Sequence, residues 1–493
     1  MNSLLPRNLY TSSQVRELDR QAIEEQGLEG LSLMEAAGQA AFNLLNELWP
    51  DAWRIVIVCG TGNNGGDGYV ISRLAQQGDK NVALLQVGDH ENLQGDAKAC
   101  AEKSAEAGIK HEAFSVEKLE QADVIIDAIF GTGLDRNIEG EYFDVINAIN
   151  NSSAPILAID IPTGLNADTG SVMGAAIEAQ ATISFIGAKQ GLLTGEGATY
   201  SGDVYFDDLK VPDEVYESVP VSCSRVDLLT QKSTLDSRKA TGHKGQYGHT
   251  LIVGGDHGFA GAVRMAAEAA ARSGSGLVSL ATRERHATQI AMSRPELMAH
   301  SVERSNTLLS LINRATVVAI GPGLGQDKWG QEMLGAVLES TLPLIVDADA
   351  LNLIAQDPVY RENWVLTPHP GEAARMLDCS IAEIQQDRFA AVTELQQKYG
   401  GVIVLKGSGT LITSEKTDIS LCTQGNPGMA TGGMGDVLTG VIAGLVAQGL
   451  DLFTASQTGV CVHANAADLA AKNGQRGMLA LDLMPEIRAS VNF

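Results

Sequence analysis

Arg54-Ile55-Val56-Ile57-Val58-Cys59 runs without a break into Gly60-Thr61-Gly62-Asn63-Asn64-Gly65-Gly66-Asp67-Gly68. An apolar run closed by a glycine cluster describes a strand buried on both faces that ends in a tight turn. An amphipathic stretch follows, so the unit is strand, turn, helix. Outward from it, apolar strands recur at 82–87, 123–129, 155–160 and 181–186, with helical stretches between them. Upstream, two helices open the chain. Thr11 with Gln14 and Ser32 with Glu35 each fit a reciprocal N-terminal cap, and Trp49-Pro50 stops the second helix. Buried strands separated by helices imply a parallel sheet covered on both faces, so the first half is a doubly wound α/β domain.

Around residues 217–239 the alternation lapses into mixed polar sequence and then restarts. Strands are expected at His249–Val253, 316–320, 343–346, 364–367 and Val402–Leu405, an Ala-rich helix at 261–273, and a long apolar helix at 436–448. A chain of 493 residues is too long for one ordinary domain. The reading is therefore two three-layer α/β domains, 1–225 and 226–493, of different folds and without an internal repeat.

The formal charge of −25 argues against duplex nucleic acid or an anionic membrane face, since no Lys/Arg run offsets it. Anionic ligands would have to be held by backbone N–H groups, helix N-termini and a few local cations. Six cysteines (Cys59, Cys100, Cys223, Cys379, Cys422, Cys461) lack metal-binding spacing and read as buried free thiols. The opening residues lack the apolar core of a signal peptide, and no apolar stretch reaches the roughly 20 residues of a membrane span. A cytoplasmic enzyme and an assembly of like chains are the expectation.

Gly60, Gly62 and Gly65 match the fingerprint of a dinucleotide turn, where glycines let backbone approach a pyrophosphate at a helix N-terminus. Tight packing alone would also use them. Asp67 argues against an ordinary dehydrogenase, because a carboxylate repels pyrophosphate unless it faces a hydroxyl or a cation. Asp127, ahead of Phe130-Gly131-Thr132-Gly133-Leu134, and Asp160, opening Asp160-Ile161-Pro162-Thr163-Gly164, stand at further strand ends. Strand ends of an open sheet converge on one crevice, and an Asn, two Asp and a Thr there would suit a hard cation.

These motifs resemble the epimerase domain of the NAD(P)H-hydrate repair family, over roughly residues 10–220, with Thr163 where the family usually has Ser. The resemblance implies a Rossmann-like sheet. It implies hydrate contacts from Asn63, Asn64, Gly65, Gly66 and Asp67, and from Gly131, Thr132, Gly133, Leu134, Asp135, Arg136 and Asn137. It further implies potassium on Asn64, Asp127 and Thr163, and substrate contact by Asp160. Asp160 is our candidate acid/base, with Lys189 as a second choice.

The second half carries Asn426-Pro427-Gly428-Met429-Ala430-Thr431-Gly432-Gly433-Met434-Gly435-Asp436, running into an apolar helix. Clustered glycines at a helix N-terminus form a nest of donors for a transferring phosphoryl group, and Asp436 can take a proton from an attacking hydroxyl. Leu405-Lys406-Gly407-Ser408-Gly409-Thr410 offers a Lys and backbone donors to phosphates. Gly321-Pro322-Gly323-Leu324-Gly325, Asp347-Ala348-Asp349 and Thr367-Pro368-His369-Pro370-Gly371-Glu372 also end strands.

This constellation resembles the ribokinase-like superfamily, and within it the ADP-dependent NAD(P)H-hydrate dehydratases, over roughly residues 230–490. The resemblance implies an αβα fold and substrate contacts from Ala262, Gly325, His369 and Asp436. It places ADP along Lys406, Gly407, Ser408, Gly409 and Thr410, with Gly435 in the anion hole and magnesium on the phosphates. ADP rather than ATP rests on that resemblance alone. The implied partners are hydrated NADH or NADPH and ADP. A small-alcohol kinase fused to a dinucleotide-sensing module is the nearest rival reading.

Overall fold

Residues 5–492 are described by a computed structural model, which divides into compact units at residues 1–224 and 225–493. In the first unit, the strand Arg54–Cys59 sends alternate side chains to opposite faces. Ile55, Ile57 and Cys59 pack into one core, Val56 and Val58 into another. Both faces are therefore apolar, and helices cover both.

The strands lie in the order His111–Ala113, Asn81–Gln86, Arg54–Cys59, Val124–Ala128, Ile156–Ile159, Ala181–Phe185 and Asp203–Asp207, all parallel. From Arg54–Cys59 the chain first builds outward to one edge, then returns to build toward the other. The crevice between Arg54–Cys59 and Val124–Ala128 is thus the topological switch point, where open α/β sheets bind ligands.

Two expected strands stop short for the same reason. Strand 155–160 ends at Ile159 because Asp160 adopts φ +69, and strand 181–186 ends at Phe185 because Ile186 adopts φ +60. The left-handed region is costly for a β-branched residue, so Ile186 marks stored strain.

The first helix, Ser12–Glu24, has the expected reciprocal cap from Thr11 and Gln14. The second does not. It runs Gly30–Leu48 from Glu29, with no side-chain cap, and Ser32 is already inside it. The sequence-based cap at Ser32 and Glu35 is corrected: Glu35 instead pairs with Arg73 and, at 3.0 Å, with Lys103.

The strands of the second unit run Ile419–Cys422, Thr410–Thr413, Val402–Leu405, Trp364–Leu366, Leu344–Val346, Val317–Ile320, His249–Val253, Leu277–Thr282 and Met298–Ser301. The first two are antiparallel additions at one edge, and the remainder are parallel. Here the switch point lies between His249–Val253 and Val317–Ile320. The loops leaving those strands interlock, with Gly255 N donating to Pro322 O at 2.9 Å. A Cβ on Gly254 would sit 2.1 Å from that same oxygen, which requires glycine there. The helices Ala260–Ser273 and Met434–Ala447 pack closely where Gly440 meets Ala266 and Ala269 and Gly444 meets Ala270 and Ser273.

All six cysteines are free, and all but Cys379 are buried. Among the described residues, no helix is long and apolar enough to cross a membrane.

Candidate active sites

At the first switch point a cavity of about 500 Å³ opens onto the glycine turn. Two of the fingerprint glycines serve packing. A Cβ on Gly60 would lie 2.1 Å from Ile129 O, and one on Gly65 would lie 2.1 Å from Gly60 O. Gly62 meets nothing within 4 Å and faces the cavity. Asn63, Asn64 and Asp67 line it, whereas Gly65 and Gly66 are buried behind, Gly66 against Met34. Gly131, Thr132, Gly133 and Leu134 also line it; Asp135, Arg136 and Asn137 are exposed and do not.

Asp127 is fully buried and accepts three hydrogen bonds, from Thr163 N at 2.8 Å, Thr163 Oγ1 at 2.7 Å and Ile129 N at 3.3 Å. Burial pushes its carboxyl up to about 6, held back by the Thr163 donors. The Asn64 side chain is buried, and neither its oxygen nor its nitrogen has a partner. An unpartnered buried amide is costly, and a cation would satisfy its carbonyl oxygen. Asn64, Asp127 and Thr163 supply a carboxylate, an amide oxygen and a hydroxyl, the hard-donor chemistry that an alkali ion takes.

In the same cavity, Lys189 is 1% exposed and donates to Asp160, to Ser184 Oγ at 3.2 Å and to Phe185 O at 3.2 Å. A buried ammonium is tolerable only when paired, and Asp160 is its charged partner. Burial pushes Asp67 well above the usual carboxylate range, and Asp160 and Asp19 push the same way against Lys189. Asp19 also lines the cavity. Sequence reading missed it, because a lone acid on an amphipathic helix reads as solvated.

In the second unit, Asp436 stands in the first turn of Met434–Ala447, whose N-terminus has no side-chain cap. Its leading N–H groups therefore remain free for an anion. Burial, then Asp347, raises the Asp436 carboxyl to about 7, with Lys406 opposing. Lys406 Nζ donates to Asp347 Oδ1 at 2.8 Å and lies 3.8 Å from Glu372 Oε2. Asp347 also accepts from Thr439 Oγ1 at 2.8 Å, and Lys406 holds its carboxyl below the usual range despite burial. A Cβ on Gly435 would be 3.2 Å from Lys406 Nζ. The glycine thus keeps the ammonium close behind the helix N-terminus.

His369 spends its Nδ1 as a cap, accepting from Gly371 N at 3.0 Å and Glu372 N at 3.3 Å, while Glu372 accepts from His369 N at 2.8 Å. Half its side chain stays exposed, and burial with the Lys406 charge keeps the ring's basicity low. Gly325 N donates to Asp349 Oδ2 at 2.9 Å, and Ala262 faces the neighbouring Gly323.

The loop at 406–410 rests on Arg388, another residue that sequence reading missed. Its guanidinium is fully buried and donates to Leu405 O, Lys406 O and Gly409 O at 3.3–3.4 Å. A larger cavity, near Arg238, Gly274 and Gln448, lies at the far ends of the two central helices and holds none of these groups.

A carboxylate–lysine pocket in one unit and an uncapped, glycine-rich helix N-terminus beside a buried Asp347–Lys406 pair in the other define a two-site α/β enzyme. Residues 250–489 match the family described as NAD(P)H-hydrate dehydratase, and residues 30–191 that described as YjeF-related protein N-terminus. The bifunctional NAD(P)H-hydrate repair enzyme of Coxiella burnetii is 46% identical over 485 residues, covering 98% of this chain and 99% of that one. Its Escherichia coli counterpart is 43% identical over 489 residues, covering 99% and 95%. A ribokinase-like superfamily protein from Enterococcus faecalis superposes with a TM-score of 0.52 at 30% identity, over 55% of this chain and 95% of that one. The chain belongs to the family of bifunctional NAD(P)H-hydrate repair enzymes.

Proposed function

We propose that the first unit interconverts the R and S hydrates of NADH and NADPH and that the second dehydrates the S hydrate at the expense of ADP. The chain would work in the cytoplasm as an assembly of like copies. The observation that carries the second assignment is Asp436, raised to about 7 at an uncapped helix N-terminus beside the Lys406 ammonium. Asp436 takes the proton of the substrate hydroxyl, whose oxygen attacks the terminal phosphorus of ADP as the bond to AMP breaks. Phosphate then leaves with the carbon–oxygen electron pair, and loss of a ring proton restores the dihydronicotinamide. Phosphorylation is required because phosphate is a far better leaving group than hydroxide. Magnesium supplies charge neutralisation on the phosphates.

In the first unit Asp160 serves as acid/base, and Asn63, Asn64 and Asp67 with Gly131, Thr132, Gly133 and Leu134 hold the hydrate, while Gly65 and Gly66 support the turn from behind. Asn64, Asp127 and Thr163 would hold potassium, which would supply a fixed positive charge beside the turn. Asn64→Leu tests this without relying on activity. Potassium, and lithium much less, is expected to raise the unfolding temperature of the wild type, because a ligand of the native state stabilises it. The variant is expected to lose that response. It should be about 1–3 kcal/mol more stable than the wild type in potassium-free buffer, having shed an unpartnered buried amide. An unchanged response in the variant would remove potassium from these residues.

The overall test follows the near-ultraviolet dihydronicotinamide band as the protein meets both epimers with ADP and magnesium. Full recovery of the band, with AMP and phosphate released, is expected. Recovery that stops at one epimer's share would remove the epimerase, and a stable phosphorylated product would point to the small-alcohol kinase.

A further inference from the structure

Epimerisation by loss and return of a hydroxyl uses both faces of the hydrated ring. On one face a proton must reach the departing oxygen; on the other a proton must leave the incoming water. A single carboxyl fixed on one wall of a cavity serves only one of these. The first site supplies a second carboxyl from a different element. Asp19 lies on the helix Ser12–Glu24, and Val15, Asp19 and Ile23, four residues apart, all line the cavity that contains Asp160 and Lys189.

Nothing structural accounts for Asp19. The helix is capped by Thr11 and Gln14, its outer arginine Arg20 pairs with Glu17, Glu24 and Glu25, and Asp19 makes no hydrogen bond or ion pair among the described residues. Its interactions are electrostatic, with Lys189 and Asp160. The adjoining wall carries Asn64, more than nine-tenths buried with both polar atoms unpartnered, which independently points to a ligand in this cavity.

We propose that Asp19 is the second acid/base group of the first site, serving the ring face that Asp160 does not. The inference rests on the epimerase reading of that site. In one direction the Asp19 carboxyl gives its proton to the hydroxyl, the carbon–oxygen bond breaks with its electron pair on oxygen, and water departs. The ring cation is delocalised onto the adjacent nitrogen. Water then adds from the other face, a carbon–oxygen bond forms, and its proton passes to the Asp160 carboxylate. Proton exchange with solvent resets the two carboxyls, and the reverse direction exchanges their roles.

Burial, more than the opposing Lys189 charge, raises the Asp19 carboxyl to about 6, so it can carry a proton near neutrality. The titratable groups sharing the cavity are Arg16 on its own helix and Asp67, Asp96, Asp160 and Lys189 on the elements around it.

The test follows each separated epimer in ¹⁸O-water with the intact chain and with Asp19→Asn. Wild type is expected to interconvert the epimers and to label the hydroxyl of both. In the variant, interconversion in both directions and labelling of one epimer's hydroxyl are expected to fall at least about 100-fold. The other epimer should keep exchanging its hydroxyl through Asp160, on one face, without inversion. Interconversion at the wild-type rate, or hydroxyl labelling that falls equally for both epimers, would overturn the assignment. Asp19→Glu, which keeps the carboxyl and lengthens its reach, covers the case in which the first variant does not fold. A loss of labelling confined to one epimer supports the proposal, and labelling that is unchanged or evenly reduced overturns it. A wild type that neither labels nor interconverts the epimers would instead remove the epimerase reading itself.

Discussion

Asp436→Asn is expected to lower nucleotide-dependent dehydration about 10²–10⁴-fold while leaving exchange of the epimers intact. Asparagine keeps the shape of the side chain but offers no basic oxygen to the substrate hydroxyl. The pH profile follows from the same group. Only the ionised carboxyl acts as base, and burial with the Asp347 charge raises it to about 7. The wild-type rate should therefore climb with pH to about 7 and level off, losing about tenfold per pH unit below. The residual rate of the variant should show no such limb.

Stability should move the opposite way. A carboxyl whose folded pKa is raised costs stability above its unfolded value of about 4, progressively as pH rises toward the folded value. Removing the charge at pH 8 should therefore make the second unit more resistant to denaturant, with the gap closing on acidification toward pH 4. An Asp that merely capped its helix would behave otherwise, losing stability of about 1 kcal/mol on substitution. A variant both slow and less stable at pH 8 would favour that plainer role.

How much of this was legible beforehand depends on what kind of signal each residue leaves. Strands buried on both faces, such as Arg54–Cys59 and Val317–Ile320, are apolar runs and read directly. Edge strands do not. His111–Ala113 and Asp203–Asp207 bury little and carry polar residues, so no pattern announces them. The added strands Thr410–Thr413 and Ile419–Cys422 follow a glycine loop that drew attention as a binding element. The second helix begins at Gly30, before the Ser32 and Glu35 pair that imitates a start, because Glu35 is drawn instead to Arg73 and Lys103.

The sites divide similarly. Glycine turns are visible because backbone geometry restricts them to glycine. Which glycines face the ligand is not visible, since Gly60 and Gly65 close the turn and Gly62 is open. Lys406 reads as a phosphate ligand, yet its ammonium is held by Asp347, a pairing across 59 positions that no local pattern encodes. Arg388 and Asp19 lie within ordinary amphipathic helices, and only packing distinguishes them from surface charges.

That long-range pair gives the second large effect. Lys406→Met is expected to destabilise the second unit by about 3–5 kcal/mol at pH 8, because it leaves Asp347 and Glu372 as buried carboxylates without their cation. Methionine fills the volume of the stem, so the loss is electrostatic rather than a cavity. In the wild type Lys406 holds the Asp347 carboxyl low, and the stability this confers is present above the unfolded pKa. It is lost only as pH falls through the folded value. In the variant the sign reverses. Burial is then opposed only by the Thr439 and Thr367 donors, Asp347 takes a proton more readily than in the unfolded chain, and stability rises as pH falls. The deficit against wild type should therefore shrink steadily between pH 8 and 5 in denaturant titrations; a deficit constant across that range would mean a packing defect. Adding Asp347→Leu should recover much of the stability, since an apolar pair can replace a buried ion pair without loss. It should not recover the dehydration rate, because the ammonium behind Gly435 would still be missing from the phosphoryl-transfer nest.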